Sequence, residues 1–190
     1  MTDLPVEFSK DTAAACVAEL VAGRGRSIKS FLYVFVGTFI GGGLVIDSHL
    51  RSGRHGNAGA VGSIPMGLAR SGKGTPPEQL LSDASLFNLE QLFAAAGLDE
   101  TASVDARALQ APWLTHTTAW LDDAARAIAL AINSATCLLD LNEVIIDGSI
   151  DRKLLDRLLT EVETSLDYYS WEGITRPVVL AGTKIGRAHV

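Results

Sequence analysis

Two kinds of residue in this chain could do chemistry. The first is a glycine-rich turn, "VGTFIGGGLV", between two apolar runs. Glycine lets a backbone approach a ligand closely, successive N–H groups can face an anion, and Thr38 adds a hydroxyl. Two readings stay open on the residues alone: a phosphate cradle or a tight hairpin. It is neither a P-loop nor a dinucleotide fingerprint, since no Gly-Lys-Ser/Thr and no GxGxxG opens a helix here. The second is a carboxylate, Asp11, heading an apolar helical stretch, where Asp11 or Thr12 can cap the helix. Asn57, in "GRHGNAGAVG", can hydrogen-bond a ligand hydroxyl or simply form a turn. His55 stands alone in that loop, and His49 and His116 have no evident partner ligands.

Elements must position these groups. Residues 11–22 read as a helix stopped by Gly23 and Gly25. Residues 31–37 and 42–47 read as strands, with 38–41 as a tight connection. Residues 51–78 read as one long loop, with seven glycines and three prolines. A helix at 85–96 follows, closed by Gly97. The longest helix spans 112–138, with Pro112 in its first turn and Trp113, Thr117, Trp120, Leu121, Ala124, Ile128, Ala131 and Ala135 on one stripe. Strand 143–147, helix 151–166 and strand 177–181 complete an α/β pattern with parallel pairing.

Composition narrows the function. The 190 residues carry a net charge of -6, which argues against a nucleic-acid surface on this segment. The two cysteines, Cys16 and Cys137, form no CxxC or CxC pair, so a cysteine-based zinc site and a disulfide are not expected. No run reaches the roughly 18–20 apolar residues of a membrane span. With no signal-peptide pattern at the start, a cytoplasmic location is expected.

Four stretches in order resemble the ROK (repressor, open reading frame, kinase) family: "LPVEFSKDTAAACVAE" at 4–19, "FLYVFVGTFIGGGLVIDSHL" at 31–50, "GRHGNAGAVGS" at 53–63 and "LNEVIIDGSID" at 141–151. The resemblance implies the actin/hexokinase-like ATPase fold (ribonuclease H-like), here its C-terminal lobe plus the catalytic-aspartate helix. It implies Asp11 as the base that takes a proton from a sugar hydroxyl, a task that suits a carboxylate. Gly37, Thr38, Gly41, Gly42 and Gly148 would lie along a nucleotide, and Lys10, Asn57 and Gly59 along the sugar. A homodimer and a sugar or sugar-phosphate ligand are implied too. DNA would be reached only through an N-terminal helix-turn-helix outside this chain.

Departures from the family pattern shape the expectation. Lys10 stands where the family has a sugar-binding asparagine, and could pair with Asp11. Phe39 replaces a glycine of the turn, so its ring either fills nucleotide space or needs a different φ. Ala60 replaces the glutamate that grips the sugar, and Ser63 the histidine that ligates zinc. No cysteine follows in "IPMGLARSGKGTPPEQLLSD", so no zinc is expected. Asp147 replaces a glycine, adding negative charge near an ATP. The first phosphate loop, Asp-x-Gly-x-Thr, is not in this sequence, and the tail from about 185, "IGRAHV", reads either as non-native or as the lead into a last helix. These losses point to the sugar-sensing effector lobe of a ROK transcriptional regulator. The alternative is a piece of an ATP-dependent sugar kinase of glucokinase or fructokinase type, with ATP and magnesium. A third reading is a non-catalytic oligomerisation domain.

Overall fold

A computed structural model describes residues 11–69 and 74–183. Lys10 and the tail from about 185 lie outside the described residues. The elements are α1 (Asp11–Ala22), β1 (Phe31–Val36), β2 (Ile40–Ile46), β3 (His49–Arg51), α2 (Leu80–Ala84), α3 (Leu86–Ala95), α4 (Leu114–Leu139), β4 (Glu143–Gly148), α5 (Arg152–Leu166) and β5 (Val178–Ala181). The five strands form one sheet in the order β3-β2-β1-β4-β5. β1 pairs antiparallel with β2 and parallel with β4, and β4 pairs parallel with β5. This is the expected mixed α/β pattern, a hairpin grafted onto parallel crossovers.

Side-chain alternation sorts the two sheet faces. Leu32, Val34 and Val36 of β1, with Val144 and Ile146 of β4, enter a large core shared with α2, α4 and α5. Phe31, Tyr33, Val45 and Ile145 point the other way, where Cys16 of α1 joins them. A period of two makes this split automatic once the strands exist. Trp120, Leu121, Ala124, Ile128 and Ala131 of the expected stripe are buried, whereas Trp113 and Ala135 only pack at the margin.

Some boundaries differ from the sequence reading. The connection after β1 is three residues, 37–39, because Ile40 already pairs with Val36. Ile40 and Gly41 therefore belong to β2 rather than to the turn. β3 reaches only the first residue of the expected long loop, Arg51, and a single turn at Val61–Ser63 plus a Pro65–Gln79 bridge order more of it. α4 begins at Leu114, after Pro112, and takes Trp113 as its cap. Among the described residues, no helix is long and apolar enough to cross a membrane.

Candidate functional site

A cleft of about 790 Å³ opens where α1 meets the β1–β2 turn. Asp11 and Thr12 line it from the helix, Gly37, Thr38 and Phe39 from the turn, and Gly41 and Gly42 from β2. Arg51 at the end of β3, with Ser52, His55, Gly56, Ala58, Ala60 and Ser63 of the loop after it, forms one wall, and Ser149 closes the β4 end. Asp11 is the only carboxylate among the described lining residues. It is exposed, at the first described turn of α1, and its Oδ1 accepts the Thr12 backbone N–H at 2.7 Å.

Glycines explain how α1 comes so near. A Cβ on Gly41 would sit 2.6 Å from the Thr12 methyl, and one on Gly43 would sit 2.7 Å from Cys16 Cβ and Sγ. The short side chains of Thr12 and Cys16 rest directly on the β2 glycines, so Asp11 is carried to the head of β2. Gly59, at φ +77, does the same for the loop: its Cβ would lie 2.7 Å from the Gly43 Cα. Burial and the Glu19 charge push the Cys16 thiol up to about 12, and burial raises Tyr33 as well.

The turn at 37–39 is held from outside the hairpin. Leu86 N donates to Gly37 O at 2.9 Å and Phe87 N donates to Thr38 O at 3.2 Å. Two orphan donors of the α3 N-terminus thus cap the turn's carbonyls. Phe39 keeps a negative φ and stands 66% exposed at the cleft mouth, its ring 6.3 Å from that of Phe87. No left-handed backbone is needed there.

The remaining candidate residues sit apart. Gly148 ends β4 against β1, with a virtual Cβ 2.3 Å from Val36 O, but its neighbour Ser149 is the one that lines the cleft. Asn57 and Gly59 belong to the loop wall without lining the cavity, and the Asn57 carbonyl accepts Ala60 N at 3.1 Å. Lys10 lies outside the described residues. Asp147 corrects an expectation. It is buried and lies 2.7 Å from Arg152, so its charge is neutralised within the fold instead of facing a nucleotide. Ser149, Arg51 and Ser52 were not singled out in the sequence, because nothing local marks a residue brought in by a strand end. His55 read as a lone loop histidine and proves to line the cleft.

Zinc does not fit. Backbone bonds close the loop after Ser63, Leu80 N to Ile64 O at 2.9 Å and Met66 N to Glu78 O at 2.7 Å. Cys16 is buried under α1 and Cys137 is exposed on α4, so neither thiol is at this loop.

A family model for the ROK family matches residues 1–187. The chain belongs to the ROK family. Over 151 residues it is 28% identical to an N-acetylmannosamine kinase of Vibrio cholerae (strain O395), covering 79% of this chain and 52% of that protein. It thus spans about half the length of the curated relatives it matches. In structure it resembles a ROK family protein from Streptococcus pneumoniae TIGR4 in complex with sucrose, with TM-score 0.73 and 24% identity over 94% of this chain and 60% of that one. It also resembles a ROK family transcriptional regulator, a homolog of the E. coli MLC protein, with TM-score 0.68 and 21% identity over 95% of this chain and 48% of that one. These likenesses establish the actin/hexokinase-like fold. The expected preference for a regulator over a kinase is not sustained: the curated relatives it matches include N-acetylmannosamine kinases and a glucokinase.

Proposed function

We propose that this ROK chain is the acceptor-side lobe of an ATP-dependent kinase for a hexose-type sugar. The observation that carries the reading is a single carboxylate, Asp11, in one cleft with the glycine-threonine turn. The names of the matched kinases support the same class, with N-acetylmannosamine as the first sugar to try. In this reading Asp11 takes the proton from a sugar hydroxyl as its oxygen attacks the terminal phosphorus. Backbone N–H groups at 37–39 and the Thr38 hydroxyl face the phosphate oxygens, and the bond to the leaving diphosphate breaks. Magnesium, when bound with the nucleotide, would supply charge neutralisation to those phosphates. Asn57 and Gly59 shape the loop wall at the sugar end, while Gly37, Gly41 and Gly42 line the cleft on the nucleotide side.

The test is phosphoryl transfer by the full-length protein, followed as ADP release with N-acetylmannosamine and glucose. Asp11→Asn should lower kcat by about 10²–10⁴ with little change in sugar KM. An unchanged rate would remove Asp11 from the role.

Specific residues favour a second reading, the sugar-sensing lobe of a transcriptional regulator. Phe39 puts an exposed aromatic ring at the cleft mouth, and Ala60 and Ser63 put small side chains on the sugar wall. If this reading holds, the full-length protein binds operator DNA, and a sugar weakens that binding. A protein with no DNA affinity at low salt counts against it.

A further inference from the structure

Glu19 is a buried acid that the cleft does not use. It is 2% exposed, two turns along α1 from Asp11. Among the described residues no cation pairs with it within salt-bridge distance. Burying a carboxylate is costly unless hydrogen bonds satisfy it. Here three do. Arg24 N donates to Oε1 at 2.8 Å, Thr183 N donates to Oε2 at 3.0 Å, and Thr183 Oγ1 donates to Oε1 at 3.1 Å. Gly23 makes the room, since a Cβ there would lie 2.5 Å from the carboxyl carbon. Arg24 adds a second hold: its Nε donates to Ala181 O at 2.7 Å.

The same three residues, 181–183, are gripped from the other side. Arg152, at the start of α5, donates from one guanidinium nitrogen to Asp147 Oδ1 at 2.7 Å and from the other to Gly182 O at 2.8 Å. Asp147 Oδ1 also accepts Gly148 N at 2.9 Å. The chain leaving β5 is therefore a node. One side of it reaches the helix that carries Asp11, and the other reaches the turn at 148–149 that closes the cleft.

We propose that Glu19 and Arg152 are positioning residues, which clamp residues 181–183 between them and so fix the Asp11 helix relative to the 148–149 turn. The catalytic consequence rests on the kinase reading; the clamp itself does not. A helix that carries a proton acceptor must be held in place, since misplacement of about 1 Å costs on the order of 100-fold in rate.

Two measurements on the full-length protein test it. The first is amide hydrogen exchange in wild type, Glu19→Gln, Arg152→Met and Arg152→Lys, each checked for native near-UV circular dichroism. Glutamine keeps the shape but turns a donor toward Thr183 N. Lysine keeps a cation for Asp147 but cannot hold both oxygens in one fork. The expected signature is crossed. Glu19→Gln speeds exchange at Gly148 and Ser149 by about tenfold, and Arg152→Met does the same at residues 20–24, with Arg152→Lys between wild type and methionine. Acceleration confined to each variant's own neighbours overturns the clamp. The second is steady-state kinetics: Glu19→Gln should lower kcat about tenfold with sugar KM within threefold. Crossed exchange with an unchanged kcat overturns the positioning role. A wild type that transfers no phosphoryl group overturns the kinase reading instead, and the crossed exchange then decides the clamp alone.

Discussion

The two faces of the sheet are built by opposite rules. One face buries leucine, isoleucine and tryptophan side chains among four helices, with Trp120 wholly enclosed. The other carries a single 12-residue helix seated directly on glycines, with a small cluster around Cys16 and Tyr33. The thick face supplies stability through apolar area. The thin face brings backbone and short side chains into direct contact, which leaves an open cleft beside them. A site that must admit a ligand sits on the thin face, and the thick face holds the sheet still while it does so.

The comparison can be broken first at its strongest point. Trp120→Ala removes the largest enclosed side chain and its 3.1 Å bond to Ser85 O. It should cost about 3–5 kcal/mol in urea unfolding. A loss below about 1 kcal/mol would mean that the thick face is not the stabilising one.

On the thin face, Gly41→Ala should cost about 1–3 kcal/mol through overpacking against Thr12. Thr12→Ala in the same chain removes the offending methyl and should recover most of it. A double variant no better than the single one would show that the contact is not what seats α1.

A smaller effect follows from Cys16. Its folded value, about 12, lies above the unfolded 9.0. The stabilisation is therefore full below pH 9 and lost as pH rises from there toward 12. Between pH 8 and 10.5 the Cys16→Ala variant should lose about 2 kcal/mol less than wild type. In native protein at pH 8, a thiol reagent should label Cys137 quickly and Cys16 only as α1 opens.

The smallest effect lies on the rim of the thick face. Hydrogen bonds from Thr101 and Arg107 hold the Asp99 carboxyl down at about 2, against an ordinary 3.8. That contribution is present above 3.8 and lost as pH falls through about 2. Carboxyl NMR should give the low midpoint in wild type and a value nearer 3.8 in Arg107→Gln.

Much of this was legible from residues. The aromatic and valine-rich run at 31–36, the amphipathic stripe around Trp120 and the order of motifs gave strands, helix and family, since periodicity and glycine placement are local signals. β3 was missed because "HLR" is too short to show a period, and pairing with β2 alone makes it a strand. The start of β2 was misplaced because register, not composition, decides where Ile40 pairs. Asp147 was misread as a free charge because its partner, Arg152, sits at the next helix start and reaches back only in the folded chain.

The sequence by itself determined which residues could be acids, hydroxyls and close-approach glycines, because side-chain chemistry and the periods of helix and strand are written locally. Only the tertiary structure decided that Asp11, Thr38, His55 and Ser149 share one cleft, and that Glu19 meets Thr183 across 164 positions of chain. Such meetings depend on strand order and on a helix lying flat on glycines, and neither is encoded within any single stretch.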